Sequence, residues 1–348
     1  MKTVFSTLLL LCLAAPVLAD NSPIGFQTAT LPDAQNDRPL QLVVWYPATT
    51  NAKPELIADD IVFVGALAVP DAPPAAGEHP LVVLSHGDGG NWGKQVWLAS
   101  ALAHRGYIVA AVNHPGTTSR DRTPKNAAQL WQRPKDLSRA IDAVIAQPKL
   151  FGAVATQRIA VIGHSLGGWT VMETAGARFD PDLFTRDCST HAVLAGCKAY
   201  LRMNPTGVPD GKAKLAADLS DKRVRAVVSL DLGLSRGMTD ASLAALPVPA
   251  LVIAAGVSEE ALPAELESAD MARRLPKAST QYLEIGDASH FSFMSICKPG
   301  AVKLLEADVP GDGIICGDGE GEGARSREVI HGQVVGLISE FLAKSFRN

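Results

Sequence analysis

The most constraining feature of the chain is the sequence Gly-His-Ser-Leu-Gly-Gly at positions 163–168. An apolar, strand-like run (158–162) precedes it, and a helix-compatible stretch follows it. The spacing Gly-x-Ser-x-Gly is typical of a nucleophile elbow, where the chain turns from strand to helix so sharply that only small neighbours fit. We therefore expect Ser165 to be an exposed nucleophile, with the backbone N–H of Leu166 facing a developing oxyanion.

Strand-like runs alternate with helix-length segments along most of the chain. The candidate strands are 41–46, 81–84, 107–112, 158–162, 225–230, 250–255 and 281–285, and the candidate helices are 92–105, 134–146, 166–177, 263–275 and 326–344. This alternation predicts an α/β fold with a mostly parallel central sheet and helices on both faces. Residues 21–39 are expected to add an antiparallel edge strand.

In such a sheet the strands end at the edge that carries the site, and the helices run back to the opposite edge. Residues 178–222 follow a returning helix, so we expect this insertion to begin away from Ser165 and to form a structural appendage. Residues 115–133, 232–247 and 291–325 follow strand ends and are expected around the serine.

A serine nucleophile needs a base, and the base needs an acid that orients it. His290 lies in the loop after the last candidate strand, where the order nucleophile, acid, histidine places the base. His331 lies in an amphipathic helical stretch and is expected on its surface. His86 and His164, beside the two catalytic turns, are expected to pack or hydrogen-bond.

The sequence leaves two positions open for the acid. Asp231 directly follows a buried strand, where a carboxylate is costly unless it is paired. Glu259 or Glu260 follows the next strand, the commoner place for this residue, within a charged stretch that resembles a solvated helix start. We favour Asp231 and keep the glutamates as alternatives.

A second oxyanion donor is expected from the loop Ser-His-Gly-Asp-Gly-Gly at 85–90, whose glycines let a backbone N–H turn inward. We assign this role to Asp88. Trp92 and Trp169 follow the two catalytic turns and are candidates for the substrate pocket, with core packing as the alternative.

The N-terminus has a basic start, an apolar middle and small residues before position 20, which predicts a signal peptide at 1–19 and a single mature domain at 20–348. A lipid anchor on Cys12 is the alternative. No later segment contains a run of about 18 uninterrupted apolar residues, the length that a membrane-spanning helix needs. The net charge of -4, without a basic cluster, argues against a nucleic-acid partner.

Cleavage there leaves four of the five cysteines, an even number that suggests disulfides in an exported, secreted or periplasmic protein. The nearest pairing joins Cys188 to Cys197 and Cys297 to Cys316, and two other connectivities remain open. The acidic, Gly-rich segment 308–322 lacks the ligand spacing of a calcium loop, so we expect a solvated loop and no metal or cofactor.

These motifs give the chain a family resemblance. Residues 80–87, 105–114, 163–168, 228–231 and 289–291 resemble the α/β-hydrolase group of predicted dienelactone hydrolases and, within it, the platelet-activating-factor acetylhydrolases. The resemblance implies the α/β-hydrolase fold, a triad acid at the position of Asp231, and calcium-independent hydrolysis of short-acyl or lipid-like esters. Dienelactone hydrolases themselves carry a cysteine where this chain has Ser165.

The sequence therefore predicts an exported serine carboxylic-ester hydrolase that acts through an acyl-enzyme on a small-molecule or lipid-like ester. A peptidase or amidase of the same superfamily is one alternative. A secreted binding protein that has kept a hydrolase scaffold is another. The oligomeric state is not predicted.

Overall fold

The computed structural model describes residues 22–33, 38–257, 260–318 and 324–347. Within these residues, ten strands form one sheet in the order β10-β9-β8-β7-β5-β6-β2-β1-β4-β3. The strands are β1 (Ile24–Leu31), β2 (Leu40–Pro47), β3 (Glu55–Ile57), β4 (Ala66–Pro70), β5 (Glu78–Ser85), β6 (Ile108–Asn113), β7 (Ala153–His164), β8 (Ala226–Leu230), β9 (Ala250–Ala255) and β10 (Thr280–Ile285). The predicted signal peptide lies outside the described residues.

The six strands from β10 to β6 are all parallel, which confirms the predicted α/β architecture. Strand β2 pairs antiparallel with β6 and with β1. The prediction that residues 21–39 form an antiparallel strand is confirmed, but its placement at the edge is wrong. Strand β1 also pairs with β4, and the short strand β3 forms the edge.

Helices cover both faces of the sheet. They are α1 (Val96–Ala103), α2 (Pro124–Ala127), α3 (Gln132–Ala146), α4 (Pro148–Phe151), α5 (Leu166–Ala175), α6 (Pro181–Thr190), α7 (Ala195–Met203), α8 (Gly211–Leu215), α9 (Asp240–Ala244), α10 (Ser268–Arg274), α11 (Ala301–Asp308) and α12 (Arg327–Ser345). Successive strand residues point to opposite faces, so Val83 packs with α3 and α5 whereas Leu84 packs with α1 and α12. The central strands are apolar on both sides because both sides are covered.

Two disulfides fasten the long connections. Cys188 is joined to Cys197 with 5.4 Å between their Cα atoms, and Cys297 to Cys316 with 5.7 Å. This is the nearest-neighbour pairing that the sequence favours. Each bridge closes a short loop, and chain-entropy arguments give such a loop about 3 kcal/mol of stabilisation.

The structure corrects two placements. Residues 178–222 begin away from the site, as expected, but they return to it, since Arg202 on α7 forms an ion pair with Asp88. His331 is buried rather than on the helix surface, and its ring stacks on Trp97 at 3.7 Å between centroids. The apolar pattern of α12 identifies which side of the helix is buried. His331 lies at the border of that side, and the sequence pattern does not show that the ring of Trp97 covers it.

Candidate active site

Ser165 lies in the strained turn between β7 and α5, with φ of 58° and ψ of -123°. The glycines around it are required by close approach. A Cβ atom at Gly163 would lie 2.0 Å from the carbonyl oxygen of Gly167, and one at Gly167 would lie 1.9 Å from that of Ser85. The backbone N–H of Ser165 donates to Leu230 at 3.0 Å, which anchors the turn to the neighbouring strand β8.

Asp231 follows directly after β8 and is almost completely buried. Its Oδ2 lies 2.6 Å from Nδ1 of His290, and its Oδ1 accepts the backbone N–H of Ala255 at 2.9 Å. The backbone N–H of Asp231 donates to Ile253 at 2.7 Å. Two strands therefore hold the carboxylate in place, and one of its oxygens faces the imidazole.

His290 begins a short 3₁₀ turn, His290–Phe293, which is closed by reciprocal hydrogen bonds between Ser289 and Ser292. Its carbonyl oxygen accepts a hydrogen bond from Nε2 of His164 at 2.9 Å, and the two imidazole rings lie 4.6 Å apart. Burial lowers the pKa of His164 well below 6.5, so this ring stays neutral and remains a donor through Nε2. The sequence predicts that His164 packs or forms a hydrogen bond, and in the structure its partner is the backbone carbonyl of His290.

The structure describes only one of the two alternative acids. Glu260 lies exposed beyond the end of β9, and Glu259 lies outside the described residues. Of the described acid candidates, the structure brings Asp231 to His290.

The loop after β5 passes directly beside the serine. A Cβ atom at Gly87 would lie 2.9 Å from that of Ser165, so only glycine fits there. Within the described part of the chain, the backbone N–H groups of Asp88 and Leu166 donate to no other protein group. The carboxylate of Asp88 points elsewhere, to Arg122 and Arg202.

Ser165 and His290 line the same small cavity, of about 80 Å³. Phe291, Met294 and Ile315 supply an apolar wall, as expected for the loop at 291–325. This volume is small compared with the roughly 300 to 1,000 Å³ of ordinary ligand pockets. The space beside the serine therefore suits a small group.

Lys94 and Gln95, which sequence reasoning missed, also line this cavity. Burial lowers the pKa of Lys94 to about 8, and its ammonium group lies 3.2 Å from the centroid of the Phe63 ring. Lys94 also borders a second cavity of about 450 Å³. Their position shortly after the oxyanion loop is the only sequence signal that points to these two residues.

The two tryptophan candidates have different positions. Trp92 lines the second cavity and packs against Phe26 and Trp45. Trp169 is completely buried and meets Phe179 edge-on at 5.7 Å. Trp169 is therefore a core residue, and its assignment to the substrate pocket is wrong, because its ring is completely enclosed by other core side chains.

Two further expectations concern metals and membranes. Among the described residues, no group of histidine, cysteine or acidic side chains is arranged to hold a metal ion. Part of the acidic loop at 308–322 lies outside those residues, and its Asp318 pairs with Arg327 at 2.6 Å. None of the described helices combines the length and apolar character needed to cross a membrane.

Comparison with known proteins agrees with this fold. Residues 82–302 match the Alpha/beta hydrolase family. This match covers more than half of the chain, so the protein belongs to that family.

The chain is similar to an acetylhydrolase in sequence and to an esterase in structure. The chain is 28% identical over 183 residues to the platelet-activating factor acetylhydrolase of Cavia porcellus, a match that covers 37% of this chain and 42% of the relative. It thus spans less than half of that relative's length. A ferulic acid esterase from Streptomyces cinnamoneus shares the fold, with a TM-score of 0.63 and 23% identity over 95% of this chain and 92% of that one.

Proposed function

We propose that the protein is a secreted or periplasmic serine esterase that hydrolyses short-acyl or lipid-like esters through an acyl-enzyme. The observation that carries this proposal is the 2.6 Å contact between His290 Nδ1 and Asp231 Oδ2 at the wall of the cavity that contains Ser165. Two of the three required groups are joined, and the third lies in the same cavity on a nucleophile elbow.

In the proposed reaction, Ser165 Oγ attacks the ester carbonyl carbon while its proton passes to Nε2 of His290. Asp231 holds Nδ1 protonated and stabilises the imidazolium. The tetrahedral oxyanion accepts hydrogen bonds from the backbone N–H groups of Leu166 and Asp88. Collapse of this intermediate breaks the ester C–O bond, and the proton on His290 goes to the leaving alcohol.

A water molecule then attacks the acyl-enzyme and gives its proton to His290. The second tetrahedral intermediate releases the carboxylic acid, and the proton returns to Ser165. The cycle consumes one water and needs neither a metal nor a cofactor.

Three features support the substrate class and the location. The small cavity beside Ser165 favours a short acyl group. The acetylhydrolase and the ferulic acid esterase that resemble this chain are both named for ester cleavage. The disulfides and the signal-like N-terminus fit export to an oxidising compartment.

The test measures turnover of p-nitrophenyl acetate by wild type, Ser165→Ala and Ser189→Ala, a control that removes an exposed serine hydroxyl on α6. We expect Ser165→Ala to abolish turnover and to keep the wild-type melting temperature, whereas the control stays active. Retained activity in Ser165→Ala would refute the proposal.

A chain-length series of p-nitrophenyl esters then defines the acyl group, with the rate falling as the chain grows beyond the cavity. The matched p-nitroanilides test the amidase alternative, because an amine is the poorer leaving group. Comparable rates on ester and anilide would assign the protein to the amidases instead.

A further inference from the structure

Arg133, at the start of α3, is a buried cation that the proposed mechanism does not use. Its side chain is 1% exposed, and within the described residues no carboxylate lies within ion-pair distance of it. Burial lowers the pKa of its guanidinium, and the charges of Asp88 and Asp136 act on it only from further away. Such a charge is costly to bury unless its donors are used fully, so its hydrogen bonds indicate its role.

One side of the guanidinium holds the loop after β5. Nη2 donates to the carbonyl oxygen of His86 and, at 3.3 Å, to the hydroxyl of Ser85. Nη1 donates to the hydroxyl of Thr117, whose carbonyl accepts the backbone N–H of Gly89 at 2.9 Å. Arg133 therefore contacts this loop directly on one side of Asp88 and through Thr117 on the other.

The orientation of the Asp88 N–H depends on the same segment. This N–H belongs to the peptide whose carbonyl is that of Gly87, and in a trans peptide the two groups point in opposite directions. The Gly87 carbonyl accepts two hydrogen bonds, one from Nδ1 of His86 at 2.7 Å and one from the backbone N–H of Gly90 at 3.1 Å. Nε2 of His86 accepts the backbone N–H of His114 at 3.0 Å, so the proton of the neutral ring is on Nδ1.

The other side of the guanidinium holds the helix of the nucleophile. Nε donates to the hydroxyl of Thr170 at 2.9 Å, and this hydroxyl donates to the carbonyl of Leu166, also at 2.9 Å. The second candidate oxyanion donor is the N–H of the same Leu166. One side chain thus connects both halves of the oxyanion hole.

A second Ser-His-Asp set completes the network. Ser85 Oγ lies 2.9 Å from His114 Nε2, and His114 Nδ1 lies 2.9 Å from Asp136 Oδ2. All three side chains are fully buried, so no substrate reaches them. Their hydrogen bonds lead from Arg133 to Asp136, which places a carboxylate at the far end of the network.

We propose that Arg133 is a positioning residue of the oxyanion hole. It fixes the distance between the N–H groups of Leu166 and Asp88 and places a buried positive charge behind them. This inference rests on the proposed esterase function. It predicts that Arg133 contributes to transition-state stabilisation and little to binding of the ground-state ester, because the oxyanion exists only in the transition state.

The experiment compares Arg133→Met and Arg133→Lys with Arg223→Met, a control. Arg223 binds Asp142 near the other end of α3, away from the loop after β5. Active sites are counted by exhaustive titration with a fluorophosphonate. The readouts are kcat per titrated site and KM for p-nitrophenyl acetate, the inhibition constant of a trifluoromethyl ketone that mimics the tetrahedral intermediate, and the melting temperature.

We expect Arg133→Met to lower kcat by about a hundredfold, the usual scale for loss of an oxyanion donor, with KM within about twofold of wild type. The inhibition constant should rise by a similar factor. Arg133→Lys keeps the positive charge but lacks the planar guanidinium with its several N–H donors, so it should recover part of the lost kcat. Arg223→Met should retain wild-type kcat and inhibition.

A folded Arg133→Met with wild-type kcat per site and wild-type inhibition would overturn the inference. If this variant does not fold, Thr117→Val, which removes one acceptor of Arg133, decides by the same readouts. A severalfold lower kcat at constant KM supports the inference, and unchanged kcat refutes it. An inactive wild type, or an active Ser165→Ala, would instead refute the proposed function itself.

Discussion

Asp231 Oδ2 and His290 Nδ1 lie 2.6 Å apart although 59 residues separate them in the chain. Asp231 directly follows β8 and His290 follows β10, so the parallel sheet brings both to one edge. The second carboxylate oxygen is fixed by the N–H of Ala255 at 2.9 Å, which orients the whole group toward the imidazole. This geometry holds His290 with its proton on Nδ1 and leaves Nε2 as the nitrogen that would receive the proton of Ser165.

Asp231→Asn should lower kcat by about ten-thousand-fold while the protein stays folded, because an amide can hold the imidazole in the wrong tautomer. The measurement is kcat for p-nitrophenyl acetate at pH 8, with circular dichroism as the check on folding. Glu260→Gln serves as the matched control, since its side chain is exposed and the structure does not pair it with the catalytic histidine in place of Asp231. A large loss of kcat in Glu260→Gln, with Asp231→Asn active, would reverse the assignment of the acid.

Gly87→Ala should reduce kcat at least tenfold, because the added methyl group would lie 2.9 Å from the Cβ of Ser165 and 3.4 Å from its hydroxyl. The serine and the loop after β5 must then separate. Gly336→Ala on α12 is the control, as a Cβ there meets nothing within 4 Å and alanine favours a helix by about 1 kcal/mol. Wild-type kcat in Gly87→Ala would contradict the observed approach of the loop to the serine.

Stability should fall steeply in acid because of His331. Burial lowers the pKa of His331 to about 4 from 6.5, so between these values the unfolded chain binds a proton that the folded chain does not. Stability is therefore lost as the pH falls through this window, by about 3 kcal/mol for a shift of this size. His331→Gln keeps an N–H donor but cannot be protonated.

Urea midpoints at pH 8 and pH 4.5 test this expectation. The difference between the two midpoints should be smaller in His331→Gln than in wild type. It should not vanish, since burial also lowers the pKa of His86, His114 and His164 well below 6.5. An identical difference in both proteins would exclude His331 as a source of acid sensitivity.

Glu267 should act in the opposite direction. Burial raises the pKa of its carboxyl to about 7, so the stability that it contributes is present below pH 4.5 and is lost as the pH rises through 7. Glu267→Gln keeps an acceptor for Ser235 and removes the ionisation. It should raise stability at pH 8 by up to about 3 kcal/mol and have little effect at pH 4.5, as measured by urea unfolding. Greater stabilisation at pH 4.5 than at pH 8 would contradict this assignment.

The sequence predicts those parts of the site that depend on local chain geometry. The turn around Ser165 is specified by Gly163 and Gly167, because their lack of a side chain is a requirement that the sequence displays directly. The positions of Asp231 and His290 follow from strand order, since consecutive parallel strands end at the same edge. Short segments and their periodicity were therefore sufficient for the parallel part of the sheet and for bringing Asp231 and His290 to one edge, but not for the strands β3 and β4 that follow β1.

What the sequence does not predict depends on contacts between distant, irregular segments. The ion pair of Arg202 with Asp88 requires the path of residues 178–222 back across the sheet edge, and no periodicity encodes that path. The core position of Trp169 and the burial of His331 depend on neighbours from other segments of the chain, Phe179 and Trp97. In the sequence, Arg133 has the pattern of an ordinary polar residue at the start of a helix. Only the structure shows the four hydrogen bonds of its buried side chain.

We propose that Ser165, His290 and Asp231 act together on one ester. Fluorophosphonate labelling of the folded protein, mapped by mass spectrometry and timed in wild type and His290→Gln, tests this claim most directly. We expect one label, on Ser165, with labelling slowed by at least about a hundredfold in His290→Gln. Labelling of another residue, or equal rates in the two proteins, would contradict it.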